Sequence, residues 1–312
     1  MNQEYKKLYK DLIAEKCKTT IIDYDPCNKK YQYQPFSHSV SPMALDNLYD
    51  LVIDNVVFYT FSEDEIIKLQ NNISLLADLR SAAKYAFAER LPKRKAADSD
   101  GTLGEVLLDL LIQVFEPASQ KLIARAKHIE VGKKSEITGY DALYFTKQGD
   151  EITLWLGQAK AGQESYCKRD IKKDLNEKFQ TDYFTETAFY IADKSDCYEL
   201  TSLLNEINKI CLDTQKENLT KVEKSTRLYQ LLSSYNVSVK IPCLIAYTKD
   251  IYNSGALKDN MDKLRDSIIN TFENSNFDIN INLPYGIRFY IFPIKDVSYI
   301  REKIVAFKRE VI

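Results

Sequence analysis

The sequence predicts an α/β protein of the α+β kind, in which a mixed sheet is flanked by helices and preceded by an N-terminal α/β extension. Helical patterns and short apolar runs alternate along the chain, which favours a sheet covered by helices. Gly (9) and Pro (8) are sparse, which argues against a disordered or loop-dominated chain. Of the 312 residues, 45% are hydrophobic, enough to bury one large core or two modest ones.

The chain divides into two predicted parts. Residues 1–95 form a mostly helical extension with one short strand, "TTIIDYD" at 19–25. Residues 62–91 carry apolar residues near helical spacing and begin at Ser62 with acidic residues behind it, a pattern typical of a helix start. The segment "PKRKAADSDG" (92–101) breaks this pattern and is the predicted linker to the core at 96–312.

The core has the clearest periodicity. It predicts a helix at 102–115, whose apolar residues form one stripe, and then a strand at 139–145. A hairpin-like turn at 148–150 leads into a second strand at 151–161, followed by a helix at 166–179. Two further apolar runs, at 238–248 and 286–294, predict buried strands that are each followed by a helical pattern.

Composition limits the partners and the compartment. The chain has 43 basic and 45 acidic residues, and this near balance of charge does not indicate any class of binding partner. Six scattered cysteines without CxxC spacing, together with only two histidines, argue against a structural zinc site and predict free thiols in a reducing compartment. The charged N-terminal segment lacks a signal-peptide core, and no apolar run approaches about 18 residues. We therefore expect a cytoplasmic protein without a membrane span.

The stretch "LWLGQAKAG" (154–162) ends a strand-like apolar run in a polar pair. Alternate side chains of a strand share a face, so Gln158 and Lys160 point the same way at the predicted rim of the sheet. Asp141 lies in the preceding strand. Because the turn at 148–150 folds the two strands side by side, counting outward from it places Asp141 nearly opposite Gln158. A carboxylate, an amide oxygen and an ammonium are thereby predicted to meet.

This set of groups suits phosphoryl chemistry. A hard divalent cation such as Mg²⁺ takes oxygen ligands and needs only one or two carboxylates from a protein. Such an ion polarises a phosphoryl oxygen and lowers the pKa of a bound water. The ammonium of Lys160 can neutralise charge that develops on a phosphate or orient the attacking water.

The pattern resembles the PD-(D/E)xK nuclease fold, which is also the restriction-endonuclease-like fold. The resemblance covers residues 102–179 and rests on "GTLGE", "GYDAL" and "GQAKA". More narrowly, the "LGE" helix, the "GYD" strand and the "LWLG" strand with its lysine, together with the late strands "IPCLIAYT" and "RFYIFPI", are similar to the HamA family. This wider resemblance spans roughly residues 90–300. HamA proteins are nuclease subunits of the Hachiman anti-phage defence system.

The resemblance implies residue roles. Glu105 would be the helix carboxylate, Asp141 the central metal ligand and Lys160 the catalytic lysine, with Gln158 as a third oxygen ligand of Mg²⁺ or Mn²⁺. The family more often has Glu at the position of Gln158. An amide oxygen can still ligate a metal, but it brings no negative charge. The resemblance also implies DNA as substrate and a helicase partner similar to HamB.

Each candidate residue has a plainer interpretation. Thr102 and Glu105 have the spacing of a capping box, in which Glu105 serves the helix start alone. Asp141 could flank a turn, although Asp is disfavoured inside strands. Gln158 and Lys160 could be a strand end that meets solvent.

Basic segments offer contacts to DNA. In the helix at 166–179, Lys168 and Lys172 share a face and could meet phosphates, but neighbouring acids favour an ordinary solvated face. The basic runs at 84–95 and 121–134 could grip phosphate, and solvated faces again are the commoner explanation.

The leading functional prediction is a metal-dependent DNA nuclease of anti-phage defence that is controlled by a helicase partner. The alternative is a catalytically inactive nuclease-fold subunit that binds DNA or scaffolds the partner helicase, because Gln158 removes a charge from the expected site. A third interpretation is a purely structural protein that binds a partner. No GxxxxGK loop is present, so ATP hydrolysis would have to come from another subunit.

Overall fold

One mixed sheet organises the chain in a computed structural model, which describes residues 3–91, 101–124, 139–195, 197–252 and 255–311. The described strands follow the order β1-β3-β8-β7-β6-β5-β4, and β2 pairs with β3. Their bounds are β1 Ile21–Asp23, β2 Cys27–Asn28, β3 Gln32–His38, β4 Gln120–Lys121, β5 Ala142–Gln148, β6 Glu151–Gly162, β7 Val237–Thr248 and β8 Tyr285–Ile294. The predicted mixed sheet flanked by helices is confirmed.

Helices cover both faces of this sheet. Their bounds are α1 Gln3–Tyr9, α2 Glu15–Thr20, α3 Ala44–Thr60, α4 Glu63–Ile73, α5 Leu79–Glu89, α6 Thr102–Phe115, α7 Glu164–Lys178, α8 Thr181–Lys194, α9 Thr201–Glu217, α10 Lys221–Ser234, α11 Leu257–Glu273 and α12 Val297–Arg309. A π-helical turn, Lys10–Ala14, joins α1 to α2. Buried side chains of α1–α6 and α12 form the core on one face, and those of α7–α11 form the core on the other. No helix among the described residues is long and apolar enough to cross a bilayer.

The centre of the sheet is parallel and its β5–β6 edge is antiparallel. Strands β6, β7, β8 and β3 pair in parallel, as expected for strands buried under helices on both faces. Strands β5 and β6 form the predicted hairpin, in which Gln148 pairs with Glu151. The turn requires Gly149, whose φ of 59° lies in the left-handed region that glycine tolerates. This hairpin fixes the register of the polar residues at its open end.

Most predicted elements of the core are confirmed. The helix at 102–115 has the predicted bounds, and β6, α7, β7 and β8 agree with prediction to within two residues. Strand β5 begins at Ala142. Asp141 was expected to lie within this strand, but it immediately precedes it. All six cysteines are free thiols, as predicted.

The helical pattern at 62–91 corresponds to two helices. The chain forms α4, a 3₁₀ turn and α5, because Ser74 adopts a left-handed conformation with φ of 52° and ends α4. Asp78 then caps α5 by accepting a hydrogen bond from the backbone N–H of Arg80. The predicted start at Ser62 is correct, since Ser62 and Glu65 form a reciprocal capping box. The short strand predicted at 19–25 is confirmed only over Ile21–Asp23.

Two predicted segments lie mostly outside the described residues. The linker at 92–101 is described only at Gly101, and the basic run at 121–134 only at 121–124. The division at residue 95 stays a prediction, although β1 and β3 of the N-terminal part join the same sheet as β8 of the C-terminal part.

Gly157 marks the tightest approach in the centre of the sheet. A Cβ at this position would lie 2.9 Å from the Cβ of Ala142 and 2.9 Å from Cδ2 of Leu108. We expect Gly157→Ala to lower the free energy of unfolding by about 1–3 kcal/mol, because overpacking forces buried neighbours to shift. Urea denaturation measures this change. Gly286→Ala is the matched control, since a Cβ there meets no atom within 4 Å, and an equal loss in both variants would contradict the explanation.

Candidate functional site

The open end of the β5–β6 hairpin carries the predicted polar residues. The backbone N–H of Asp141 donates to the carbonyl oxygen of Gly157 at 2.8 Å, which continues the antiparallel register by one residue. Oδ2 of Asp141 accepts a hydrogen bond of 2.8 Å from the backbone N–H of Ala159. The structure therefore holds the half-buried Asp141 carboxylate against the backbone between Gln158 and Lys160.

Gln158 is fully buried at 0% exposure. Its Oε1 accepts a hydrogen bond of 2.6 Å from Nζ of Lys178, which lies at the C-terminal end of α7. Its Nε2 has no hydrogen-bond partner among the described residues. The amide oxygen that metal ligation would use is thus held by an ammonium group.

Lys160 forms an ion pair with a residue that the sequence did not point to. Its Nζ lies 2.6 Å from Oδ2 of Asp174 on α7, and the two side chains are 18% and 11% exposed. Nζ of Lys178 lies 3.4 Å from the same oxygen. Asp174 is therefore the shared counter-ion of the two lysines.

Glu105 reaches the site from the other face of the sheet. Helix α6 crosses β6 at Gly104, where an added Cβ would meet the Cβ atoms of Ala159 and Ala161 at 3.5 Å. The buried carboxylate of Glu105 accepts a hydrogen bond from the hydroxyl of Tyr59.

The capping-box interpretation of Glu105 is wrong. Gly101 is the N-cap of α6 and makes no side-chain capping bond, while Thr102 lies inside the helix. The Thr102 hydroxyl instead accepts a hydrogen bond of 2.8 Å from Nζ of Lys308 on α12. Helix geometry alone therefore does not account for Glu105.

The charges at this site act on one another. Burial raises the pKa of Asp141, and the carboxylate of Glu105 raises it further, against the opposing effects of Lys178 and Lys160. Burial alone would lower the pKa of Lys160, but the carboxylates of Asp141 and Asp174 outweigh this effect and the net shift is upward. Lys160 is consequently an ammonium at neutral pH.

Comparison with known protein families establishes the relationship of the chain. A family model described as HamA matches residues 10–307. The chain belongs to the HamA family. The match includes every candidate residue discussed above, and the family is that of Hachiman anti-phage defence, so the chain is assigned to that defence system. A search of curated proteins finds no match.

Asp174 and Lys178 are the residues of this HamA-family chain that sequence reasoning missed. A signal was present: Cys167, Ile171 and Leu175 form the apolar stripe of α7, and Asp174 interrupts that stripe. An acid on a buried helix face requires a partner, which here is the pair of lysines. Asp174 was missed because the acids of this helix were assigned to a solvated face.

The basic residues proposed for DNA contact are largely engaged elsewhere. Nζ of Lys168 lies 2.6 Å from Glu164, and Lys172 lies over the ring of Phe272. Lys121 is buried and lies 3.0 Å from Asp109. These contacts favour the structural interpretation for the residues named.

The donor set suits a hard cation in part. Two carboxylates of the same site, Glu105 and Asp141, repel one another in a buried setting, and a divalent cation would relieve that repulsion. Among the described residues no group of three or more His, Cys, Asp or Glu side chains is placed to hold a metal ion. The two carboxylates have the charge that such an ion attracts, whereas the oxygen of Gln158 is already bonded to the ammonium of Lys178.

We expect neutralisation of the two aspartates to have opposite effects on stability. Asp174→Asn removes the counter-ion of two largely buried ammonium groups and should lower the free energy of unfolding at pH 7 by about 3 kcal/mol. Asp141→Asn should raise it, because the folded-state pKa of Asp141 lies above the unfolded value and its ionised form is disfavoured in the fold.

The pH dependence provides the check. The cost of ionised Asp141 is present above its folded-state pKa and disappears as the pH falls to the unfolded value of about 3.9. The gain in Asp141→Asn should therefore shrink between pH 7 and pH 3.5 in urea denaturation. Asp150→Asn, in the exposed turn, is the control and should change little. A gain that is independent of pH would contradict this account.

Proposed function

We propose that the chain is a metal-dependent deoxyribonuclease that hydrolyses phosphodiester bonds in anti-phage defence. The observation that carries the proposal is the hydrogen bond from the N–H of Ala159 to the carboxylate of Asp141, which places this acid beside Gln158 and Lys160. Membership of the HamA family supports the defence role. The nuclease activity rests on the chemistry of the residues themselves.

Glu105 and Asp141 are the residues that would hold Mg²⁺ or Mn²⁺. The bound ion would polarise a phosphoryl oxygen and make a bound water more acidic. Asp141 keeps one oxygen on the Ala159 N–H, so its other oxygen would be the one to bind the ion.

Lys160 contributes charge to this site. Because its pKa is raised, it is protonated at neutral pH and cannot accept a proton from the attacking water. It instead stabilises negative charge on the phosphate as that charge develops. Asp174 acts as a positioning residue, since its ion pair fixes the ammonium at the rim of β6.

A second candidate function is a catalytically inactive nuclease-fold subunit that binds DNA or scaffolds a partner. One observation favours it: Oε1 of Gln158 accepts a hydrogen bond from the ammonium of Lys178, whose positive charge opposes a cation at the same oxygen. Such a subunit would keep the ion-pair network for structural reasons alone.

We also propose a helicase partner on the basis of family membership, and a cytoplasmic location on the basis of the six free cysteines. A nuclease acting near the chromosome of its own cell needs restraint, and a DNA-translocating partner would provide it by controlling access to DNA.

Loss of cleavage on substitution is the first test. Asp141→Ala and Lys160→Met should each reduce cleavage of plasmid DNA at least about 100-fold in Mg²⁺ or Mn²⁺, because each removes a charge needed at the phosphate. EDTA should abolish the wild-type activity. Lys173→Met, at an exposed lysine of α7, is the matched control and should retain activity.

The assay uses the purified protein with and without the neighbouring subunit of its system, and circular dichroism verifies that each variant is folded. Unchanged cleavage by folded Asp141→Ala or Lys160→Met would refute the catalytic assignment.

Gln158→Glu separates the two candidate functions. An active enzyme should retain cleavage and reach half-maximal rate at a several-fold lower Mg²⁺ concentration, since a third carboxylate increases the attraction for the cation. The measurement is the cleavage rate as a function of Mg²⁺ concentration. Gln163→Glu, at the exposed N-cap of α7, adds the same charge away from the site and should leave the Mg²⁺ dependence unchanged. Absence of cleavage in both wild type and Gln158→Glu, with partner binding intact, would favour the inactive subunit.

A further inference from the structure

A second polar region lies at the opposite end of the parallel strands from the candidate site. Lys160 pairs with Ile245 of β7, whereas this region lies around Lys240, five positions earlier and about 16 Å away along the strand. It contains a cavity of about 470 Å³, which we name the Lys240 cavity. Its lining includes the side chains of Lys29, Lys30, Lys240, Tyr285 and Arg288.

The lining of the Lys240 cavity has a single sign of charge. Four of its described residues are cationic and none is acidic, although acids outnumber bases in the chain as a whole. Lys29 and Lys30 are exposed at the rim, and Lys240 and Arg288 are half-buried deeper in the cavity. Low-dielectric walls of one charge raise the local concentration of ions of opposite sign.

Behind the cavity, one carboxylate serves both deeper cations. Glu116, at the C-terminal end of α6, forms an ion pair with Arg288 and lies 3.8 Å from Nζ of Lys240. Arg288 also donates a hydrogen bond to Gln32. Burial lowers the pKa of Lys240 to about 8, because it disfavours the charged form.

Glu273 is the other acid near the rim, and its carboxylate is already engaged. It accepts hydrogen bonds from the backbone N–H groups of Lys30 and Tyr31 and from the Tyr33 hydroxyl at 2.9 Å. These neutral donors leave the charge of Glu273 in place, but the four cations of the lining still outnumber the two carboxylates of Glu116 and Glu273.

The exposed ring of Tyr285 and the volume of the cavity suit a ligand larger than a bare ion. Tyr285 is 46% exposed beside the cavity and could stack on a planar base. The volume lies within the range of about 300–1,000 Å³ that is usual for small-molecule sites.

We propose that the Lys240 cavity binds a nucleotide through its phosphate group, supplied either by a free nucleotide or by a nucleotide unit of a single DNA strand. The site is distinct from the candidate nuclease site and its existence does not depend on cleavage. The shared chemistry is a phosphate recognised by Lys240 and Arg288, with Lys29 and Lys30 at the rim. The plainer explanation is that Lys240 and Arg288 only neutralise Glu116 and the end of α6.

The chain contains a built-in reporter for this test. Trp155 is its only tryptophan, and Nζ of Lys240 lies 3.9 Å from the centre of its ring. An anion that draws the ammonium away from the indole should change the tryptophan emission excited at 295 nm. The full chain is titrated in EDTA, so that no cleavage occurs, with dAMP, with a ten-residue thymidine oligonucleotide, with adenosine and with sulfate at matched ionic strength.

We expect dAMP or the oligonucleotide to change the emission with saturation, and adenosine and sulfate to have no comparable effect. Saturation by dAMP identifies a free nucleotide as the source of the phosphate, and saturation by the oligonucleotide alone identifies the DNA strand. Lys240→Gln should weaken the saturating interaction at least 10-fold.

Changing Lys240 removes the ammonium beside Trp155 and could alter the emission without altering binding. A second variant, which leaves Lys240 in place, controls for this effect. Lys29→Glu/Lys30→Glu alters only exposed rim residues and should weaken binding several-fold while leaving the Trp155 contact in place. Lys216→Glu, at an exposed residue of α9, is the matched control and should bind as wild type does. No saturable change with either phosphate probe, equal effects of sulfate, or unchanged affinity in both variants would overturn the proposal.

Discussion

The candidate site depends on one buried acid, Asp174, which neutralises two lysines at the rim of β6. Lys160 and Lys178 are each about one-fifth exposed, so either ammonium without a partner would carry a large desolvation cost. With Asp174 in place, Lys178 is free to hold the oxygen of Gln158 and the carbonyl of Gly139. One ion-pair network thereby joins α7, β6 and the loop that leads into β5.

That network meets a second constraint, the register of the hairpin. The tight turn at Gly149 sets the pairing of β5 with β6, and the pairing carries Asp141 to the backbone of Ala159. Helix α6 adds Glu105 from the opposite face because it crosses β6 at Gly104, where only small side chains lie. Residues from a helix, a loop and a strand therefore share one electrostatic environment, in which the two carboxylates oppose each other and the lysine stays charged.

The two polar regions of the sheet differ in how their charges are balanced. At the candidate site, the carboxylates of Glu105, Asp141 and Asp174 face two lysines, so acids and bases nearly compensate each other. At the Lys240 cavity, the four cations exceed the two carboxylates of Glu116 and Glu273, which favours an anion. Strands β6 and β7 run through both regions, so a protein that acts on nucleic acid could contact a phosphate at each end of the same sheet.

The sequence by itself determined the elements of the core and the identity of the residues at the hairpin. Strand alternation and turn chemistry are local properties, so the position of Asp141 beside the Gln158–Lys160 segment could be counted out from the turn at 148–150. Only the tertiary structure decided which charges pair. Asp174 finds Lys160 because α7 packs across β6, and no local spacing encodes that contact. The same holds for the break at Ser74 and for β3, which joins the sheet by pairing with a strand some 250 residues away. Long-range packing selects these partners. A buried ion pair or a strand pairing stabilises the fold only after the distant segments that form it have packed together.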